Sequence, residues 1–208
     1  MELTTAKLKH TQLLIVFSGP SGAGKDSVLR RLLRSEAELV FVVTTTTRPM
    51  REEETQGFDY IFVTRDEFTL MVEAGEFIEH AVVYGEHKGV SRKQIEVALE
   101  SGKDVVLRLD VQGAARIKQI YPSALLIFLT PGSEDELRFR LDGRETETSG
   151  RIETLVNSAR KERERRTEFD YVVLNQRDKL DQTVKEVQEI VRAERLRVRE
   201  RAVRKDET

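Results

Sequence analysis

A glycine-rich segment at positions 19–27, GPSGAGKDS, constrains the fold more than any other part of the sequence. It follows an apolar run at 13–17 that is typical of a buried β-strand, and it precedes a helical pattern at 27–35. Glycines at this spacing before Lys25 let backbone amides curl around phosphate oxygens, and the start of the following helix adds positive charge. The order of strand, loop and helix therefore predicts a phosphate-binding loop.

The rest of the chain repeats this alternation. Apolar runs at 104–109, 125–129 and 171–174 have the character of strands, and helical patterns at 112–120 and 133–141 lie between them. Near-continuous apolar strands are usually buried on both faces. We therefore predict an α/β fold of the P-loop NTPase type, in which helices cover both faces of a parallel sheet.

The length of 208 residues suits one compact domain with room for an inserted lobe. The segment 44–91 is more strand-like than its surroundings and rich in Arg, Glu and Thr, which favours an inserted substrate lobe. The expected division of the single domain 1–208 is a core of 13–43, 92–132 and 159–208, a lobe of 44–91 and a helical lid of 133–158.

Charge and cysteine content exclude several classes of protein. Lys and Arg number 35 against 37 Asp and Glu, so no overall positive field attracts nucleic acid or an anionic membrane. The absence of cysteine excludes disulfides, thiolate metal sites and cysteine nucleophiles. No apolar run approaches the roughly 20 residues of a membrane span. We expect a cytoplasmic protein that binds neither nucleic acid nor membrane.

Three further motifs in order along the chain carry a resemblance. They are TTTTRPMREEETQGFDYIFV at 44–63, GEFIEHAVVYGEHKG at 75–89 and DVQGA at 110–114. With the glycine-rich loop, they make the sequence from 13 to 191 resemble the guanylate kinases. The resemblance implies transfer of the γ-phosphoryl group of ATP to GMP, and also to dGMP, with Mg²⁺ as cofactor. It also implies that the lobe binds GMP and that the protein works as a monomer or homodimer.

Chemistry supports the same reading of the lobe. Arg48 and Arg51, with Tyr60 nine residues further on, can present a fork of donors to a dianionic phosphate. The carboxylate of Glu79 can accept the N1–H and exocyclic N–H of guanine, a donor pair that adenine lacks. A solvated surface is the other interpretation of these charged residues.

The resemblance assigns residues to each substrate. We expect ATP to be bound by Gly19, Pro20, Ser21, Gly22, Ala23, Gly24, Lys25, Asp26, Ser27 and Asn175. We expect GMP to be bound by Thr44, Arg48, Arg51, Tyr60, Glu79, Lys88 and Asp110. The expected catalytic cations, which stabilise charge on the transferred group, are Lys25, Arg140 and Arg144.

Asp26 stands where such loops usually offer Ser or Thr to Mg²⁺. A carboxylate is a typical ligand for this ion, so Asp26 is the predicted magnesium ligand. A further negative charge beside a triphosphate needs compensation. Arg108 offers it, because it replaces the first Asp of the family pattern at the end of a strand that should lie next to the loop. We predict a linked exchange; two unrelated substitutions are the alternative.

Other positions also depart from the family pattern. Lys88 stands where relatives often have Tyr, and Val90 where they often have Ser. Leu155 takes the place of a second lid arginine, and Arg151 and Arg160 are the two candidates to replace that arginine. These changes affect the expected turnover more than the expected binding.

Two other functions remain open at this point. Ribose bisphosphate kinases also resemble the Gly-Lys-Asp-Ser sequence of the loop, but they would not need Glu79 or the Arg48, Arg51 and Tyr60 cluster. An inactive guanylate-kinase-like interaction module is the second alternative, although such modules tend to lose the loop lysine, and Lys25 is present here. The basic segment 192–205 lacks interleaved aromatic residues, which favours a solvated helix end over a nucleic-acid arm.

Overall fold

A computed structural model of the protein describes residues 12–143 and 149–197. Its centre is a sheet of five parallel strands. Their order is β2 (Leu39–Phe41), β7 (Asp104–Arg108), β1 (Leu14–Ser18), β8 (Leu125–Thr130) and β9 (Tyr171–Leu174). The central position of β1 places the loop that follows it between the ends of β7 and β8.

Helices cover both faces of this sheet because successive residues of each strand point to opposite sides. Ile15 and Phe17 of β1 pack in one hydrophobic cluster with helices α1 (Lys25–Ser35) and α7 (Leu180–Arg195). Leu14 and Val16 pack in a second cluster. That cluster includes residues of helices α3 (Arg92–Glu100) and α4 (Val111–Ile120). The predicted α/β fold with helices on both faces is confirmed.

A second, mixed sheet is built from the residues between β2 and α3. Its order is β4 (Ile61–Phe62), β3 (Thr45–Thr46), β6 (Glu86–Ser91) and β5 (Phe77–Val83). Helix α2 (Arg65–Glu73) lies between β4 and β5 in the chain, and it begins with a capping box formed by Thr64 and Glu67. This sheet coincides with the segment 44–91 that the sequence sets apart.

Helices α5 (Glu134–Asp142) and α6 (Ser149–Glu164) have a small hydrophobic cluster of their own. Its buried members are Leu137, Leu141, Ile152, Leu155, Val156 and Ala159. Helix α6 continues without a break through the expected end of the lid at residue 158 and is followed by a 3₁₀ turn, Arg165–Glu168.

The predicted strands at 13–17, 104–109, 125–129 and 171–174 are observed within one residue at each end. The helix predicted from residue 27 begins two residues earlier, at Lys25, so the lysine belongs to its first turn. Strands β2 and β3 have only three and two residues, too few for a periodic pattern to be visible. Within the described ranges, no helix combines the length and apolar character that a bilayer crossing needs.

Candidate active site

One cavity opens at the carboxyl ends of β1 and β7, where ligands of open parallel sheets usually bind. Residues of the second sheet and of α6 complete its walls. The predicted site residues that line the cavity are Gly19, Ser21, Gly22, Gly24, Lys25, Asp26, Ser27, Thr44, Arg48, Arg51, Tyr60, Glu79, Lys88 and Asp110. The fold therefore brings the two predicted groups of substrate contacts together in one space.

The loop between β1 and α1 needs glycine at two positions, where its backbone lies close to Leu129 and to Asn175. Gly19 has a φ of 130°, and a Cβ there would lie 2.0 Å from the carbonyl oxygen of Leu129. Gly24 has a φ of 84°, and a Cβ there would lie 2.2 Å from Nδ2 of Asn175. Both positions favour a residue without a side chain, both sterically and in backbone conformation. The loop is therefore held in its curled shape by packing against β8 and the segment after β9.

Lys25 lies in the interior of the loop. Its Nζ donates hydrogen bonds to the carbonyl oxygens of Gly19 and, at 2.9 Å, of Pro20. Burial lowers the pKa of the Lys25 ammonium to about 8, against the opposing effect of the carboxylates of Glu162 and Asp26. Near neutral pH the ammonium remains mostly protonated and can act as a cation.

Arg140 and Asn175 support the backbone of the loop. Asn175 Nδ2 donates to the carbonyl oxygen of Ala23 at 2.8 Å. Arg140 donates to the same oxygen at 3.2 Å and to the carbonyl oxygen of Asn175 at 2.6 Å. Neither side chain lines the cavity, and neither do Pro20 and Ala23, although all four are predicted substrate contacts. Arg144, the other predicted lid cation, lies outside the described residues.

Asp26 and Arg108 form an ion pair at the start of α1. Burial alone would raise the pKa of the Asp26 carboxyl, but Arg108 and then Lys25 outweigh it and hold that pKa well below its usual range. The Asp26 side chain keeps 41% of its surface exposed, whereas the Arg108 side chain keeps 5%. The proximity that the sequence predicts follows from the register of the sheet, in which Phe17 of β1 lies beside Arg108 of β7.

The carboxylate of Glu54 fixes the position of Arg48. Its guanidinium donates to both oxygens of Glu54, at 2.9 and 2.6 Å, and lies 5.0 Å from the centre of the Tyr60 ring. The Lys88 ammonium lies 5.8 Å from the same ring. Arg108 lies closer still, with its guanidinium carbon 3.9 Å from the centre of that ring, and Arg51 lines the same cavity. Such a cluster suits a dianionic phosphate.

Glu79 is a buried carboxylate in the wall of the cavity, with 5% of the residue exposed. Burial raises the pKa of Glu79 to about 7, and the negative charge of Asp110 adds to this effect while Arg116 opposes it. Arg116 Nη1 lies 3.4 Å from Glu79 Oε1. Glu79 is therefore a titratable hydrogen-bond acceptor that lines the cavity.

Thr44 and Asp110 have partners within the protein. Thr44 Oγ1 donates to the carbonyl oxygen of Arg108 at 3.3 Å. The Asp110 carboxylate caps α4 by accepting from the backbone N–H of Gly113 at 2.7 Å. Both residues line the cavity, and their roles in binding a nucleotide remain predictions.

Sequence reasoning missed Tyr84 and Glu162, which also line the cavity. The Tyr84 hydroxyl donates to Glu162 Oε1, and Glu162 Oε2 is buried with no hydrogen-bond partner. Burial raises the pKa of the Glu162 carboxyl. Tyr84 has a φ of 55°, which is unusual for a residue with an aromatic side chain. Sequence contains no sign of this contact, because 78 positions separate the two residues.

Arg151 and Arg160, the two candidates for the missing lid arginine, lie in different places. Arg151 lines the cavity near Leu155. Arg160 is exposed and pairs with Glu134 at 2.7 Å. Of the two candidates, Arg151 is therefore the one placed in the cavity wall.

The donor set fits one mode of magnesium binding. Within residues 12–143 and 149–197, no group of three or more His, Asp or Glu side chains could hold a metal ion alone. Mg²⁺ at kinase sites usually takes one or two carboxylates and completes its shell with water and substrate phosphates. Asp26 provides one carboxylate in the cavity, although Arg108 engages its Oδ1.

Known proteins resemble this chain along most of its length. The family model for guanylate kinase matches residues 11–194. The chain is 46% identical over 192 residues to guanylate kinase 2, chloroplastic/mitochondrial, of Oryza sativa subsp. japonica. This alignment covers 92% of the present chain and 67% of the relative. It is 40% identical over 191 residues to the guanylate kinase of Lactococcus lactis subsp. lactis, with 92% of each chain covered.

A solved structure agrees with these relatives. The crystal structure of guanylate kinase from Anaplasma phagocytophilum matches with a TM-score of 0.76 and 32% identity, over 91% of this chain and 89% of that one. Sequence and fold thus lead to the same assignment: the chain belongs to the guanylate kinase family.

Proposed function

We propose that this protein is an ATP:GMP phosphotransferase that converts ATP and GMP to ADP and GDP. Membership of the guanylate kinase family supports the activity. The observation that carries it is the single cavity in which the loop with Lys25 faces both buried Glu79 and the cations around Tyr60. An enzyme that joins two nucleotides needs both sets of contacts within reach of one another.

The donor nucleotide is assigned to the glycine-rich loop. Backbone amides of the loop and the first turn of α1 would bind its phosphates, with Lys25 as the cation inside the loop. Asp26 would hold Mg²⁺, and that ion would neutralise phosphate charge when bound. Arg140 and Asn175 are proposed to keep the loop in shape, as their contacts with Ala23 support.

The acceptor nucleotide is assigned to the second sheet, residues 44–91. Glu79 would accept the two guanine N–H donors, and Thr44 would contact the guanine carbonyl oxygen. Arg48, Arg51, Tyr60 and Lys88 would bind the phosphate. A buried Glu without a matching donor pair is costly, so this site should reject AMP strongly.

Catalysis in this proposal is positioning and charge stabilisation. The acceptor phosphate is already ionised, so no general base is required. Lys25, Arg140 and Arg144 would stabilise the charge that develops on the transferred group, and Arg151 would take the place of the arginine missing at Leu155. We also propose that dGMP is a second acceptor. We propose further that the enzyme is cytoplasmic and works as a monomer or homodimer.

A coupled assay of ADP release tests the proposal. Mg·ATP is combined in turn with GMP, dGMP, AMP, CMP, UMP and ribose bisphosphate, and Lys25→Met serves as the inactive control. GMP should exceed AMP in kcat/KM by about 10⁴-fold. Equal or better turnover of AMP or ribose bisphosphate would contradict the proposal, and an absence of turnover with every acceptor would favour an interaction module.

A further inference from the structure

Arg108 is the last residue of β7, and its side chain reaches the segment just before β4. Its Nη1 donates to Asp26 Oδ1 at the start of α1. Its Nη2 donates to the backbone carbonyl of Asp59, and its guanidinium carbon lies 3.9 Å from the centre of the Tyr60 ring. One buried side chain therefore contacts both the phosphate-loop helix and the residues just before β4.

The position of this guanidinium is determined by these partners. Arg108 is 6% exposed, and its buried Nε has no hydrogen-bond partner, so water does little to hold it. A cation at a ring face in a desolvated site is attracted to that face. Loss of Asp26 would leave the cation without its charge partner, and the guanidinium would shift relative to Tyr60.

A second ion pair ties the same segment to α1. Arg30 Nε donates to Asp59 Oδ1 at 3.0 Å, while Asp59 Oδ2 accepts from the backbone N–H of Thr55 at 2.9 Å. The Asp59 side chain is thus anchored on both of its oxygens, and the Arg108 guanidinium, at 3.9 Å, is nearer to the Tyr60 ring than the cationic groups of Arg48 and Lys88, at 5.0 and 5.8 Å.

We propose that Arg108 is a positioning residue that links the two nucleotide sites, because it orients Tyr60 for the acceptor phosphate in a way that depends on Asp26. This inference rests on the proposed function, which assigns Tyr60 to GMP. It adds a dependence of the acceptor site on a carboxylate of the donor loop.

Direct binding of phosphate by Arg108 is the competing explanation, since Arg108 also lines the cavity. The two explanations predict opposite effects of Asp26→Ala on GMP. Removal of a negative charge near a phosphate should tighten binding if charge alone matters. If Asp26 holds Arg108 against Tyr60, the same change should weaken binding.

The experiment measures the GMP dissociation constant by calorimetry without ATP or Mg²⁺. We expect Asp26→Ala to raise the GMP dissociation constant at least threefold. Arg108→Lys should raise it at least tenfold, because lysine keeps the charge but lacks the planar fork. In a protein that already carries Tyr60→Leu, Arg108→Lys should change the GMP dissociation constant less than twofold. Arg31→Lys, at an exposed pair with Asp181, is the matched control and should have no effect.

Each outcome decides between the explanations. The inference is overturned if Asp26→Ala binds GMP as tightly as the unmodified protein or more tightly. It is also overturned if Arg108→Lys still raises the GMP dissociation constant at least tenfold in a protein that carries Tyr60→Leu. If Arg108→Lys fails to fold by circular dichroism, the sign of the Asp26→Ala effect still decides. If the unmodified protein does not bind GMP, the proposed function fails instead.

Discussion

Glu54 holds Arg48 with both of its carboxylate oxygens, at 2.6 and 2.9 Å, and its side chain is 5% exposed. Glu54 Oε2 also accepts from the backbone N–H of Arg51 at 2.9 Å. One carboxylate thus orients both arginines that are assigned to the acceptor phosphate.

Glu54→Gln should therefore raise the KM for GMP without comparable loss of kcat. An amide replaces a charge-assisted pair with a weaker one, at a cost of about 1.5–3 kcal/mol, or roughly 10- to 100-fold in affinity. Steady-state kinetics at saturating ATP measure the effect. The neighbouring Glu53→Gln, at an exposed position, is the control; an equal effect of both variants would contradict the role of Glu54.

Glu79→Gln should weaken GMP binding by roughly 2–4 kcal/mol, because the amide presents N–H to one guanine N–H. The affinity for ATP should barely change, since Glu79 lies in the second sheet. Calorimetry with each nucleotide separates the two effects. Unaltered GMP affinity in this variant would show that another group recognises the base.

GMP affinity should also depend on pH through Glu79, whose pKa is about 7 in the free protein. The guanine donors require the ionised carboxylate, and a raised pKa means that the acid form accumulates as pH falls below about 7. The dissociation constant should therefore rise on acidification and level off above pH 8. The phosphate of GMP also titrates, near about pH 6. Glu79→Gln retains that contribution, so a pH profile unchanged by this substitution would exclude Glu79 as the titrating group.

Asp26→Ser and Arg108→Asp together should restore the common family arrangement. If the two positions exchanged as a pair, each single change should lower kcat/KM more than the double change does, with a coupling free energy above ~1 kcal/mol. Single changes leave either an unpaired buried cation or two carboxylates facing each other. Additive effects in the double-mutant cycle would mean that the two substitutions are unrelated.

Asp104 and Arg195 should be important for stability rather than for activity. The Asp104 side chain is fully buried, lies 2.7 Å from Arg195 and accepts from the backbone N–H of Leu13 at 2.8 Å. Asp104→Ala should destabilise the fold by about 3–5 kcal/mol, because it leaves a largely buried cation without its partner. Denaturant unfolding measures this, with Asp181→Ala at the exposed pair with Arg31 as a control expected to change little. A change below about 1 kcal/mol at Asp104 would contradict the prediction.

Sequence reasoning succeeded where either the spacing along the chain or the pairing of neighbouring parallel strands determines position. The loop residues are consecutive, and the neighbourhood of Asp26 and Arg108 follows from two strands that pair in the parallel sheet. It could not show which side of the loop a distant side chain approaches. Arg140 and Asn175 are predicted to act on the substrates, and their hydrogen bonds to the Ala23 carbonyl oxygen depend on how α5 and the segment after β9 pack against the loop.

The contact of Tyr84 with Glu162 was beyond sequence for another reason. It depends on how α6 leans over the hairpin between β5 and β6, and no periodic pattern records such a tilt. The position of Arg151 in the cavity and of Arg160 outside it depends on the rotation of the same helix.

Leu155, where relatives often carry an arginine, is 3% exposed and packs with Leu137 and Leu141 across the α5–α6 interface. An apolar side chain at this position joins the two helices, so a displacement of one would carry the other with it. A charged side chain at 155 would lose this packing and its own hydration together, so this chain uses the position for cohesion between α5 and α6.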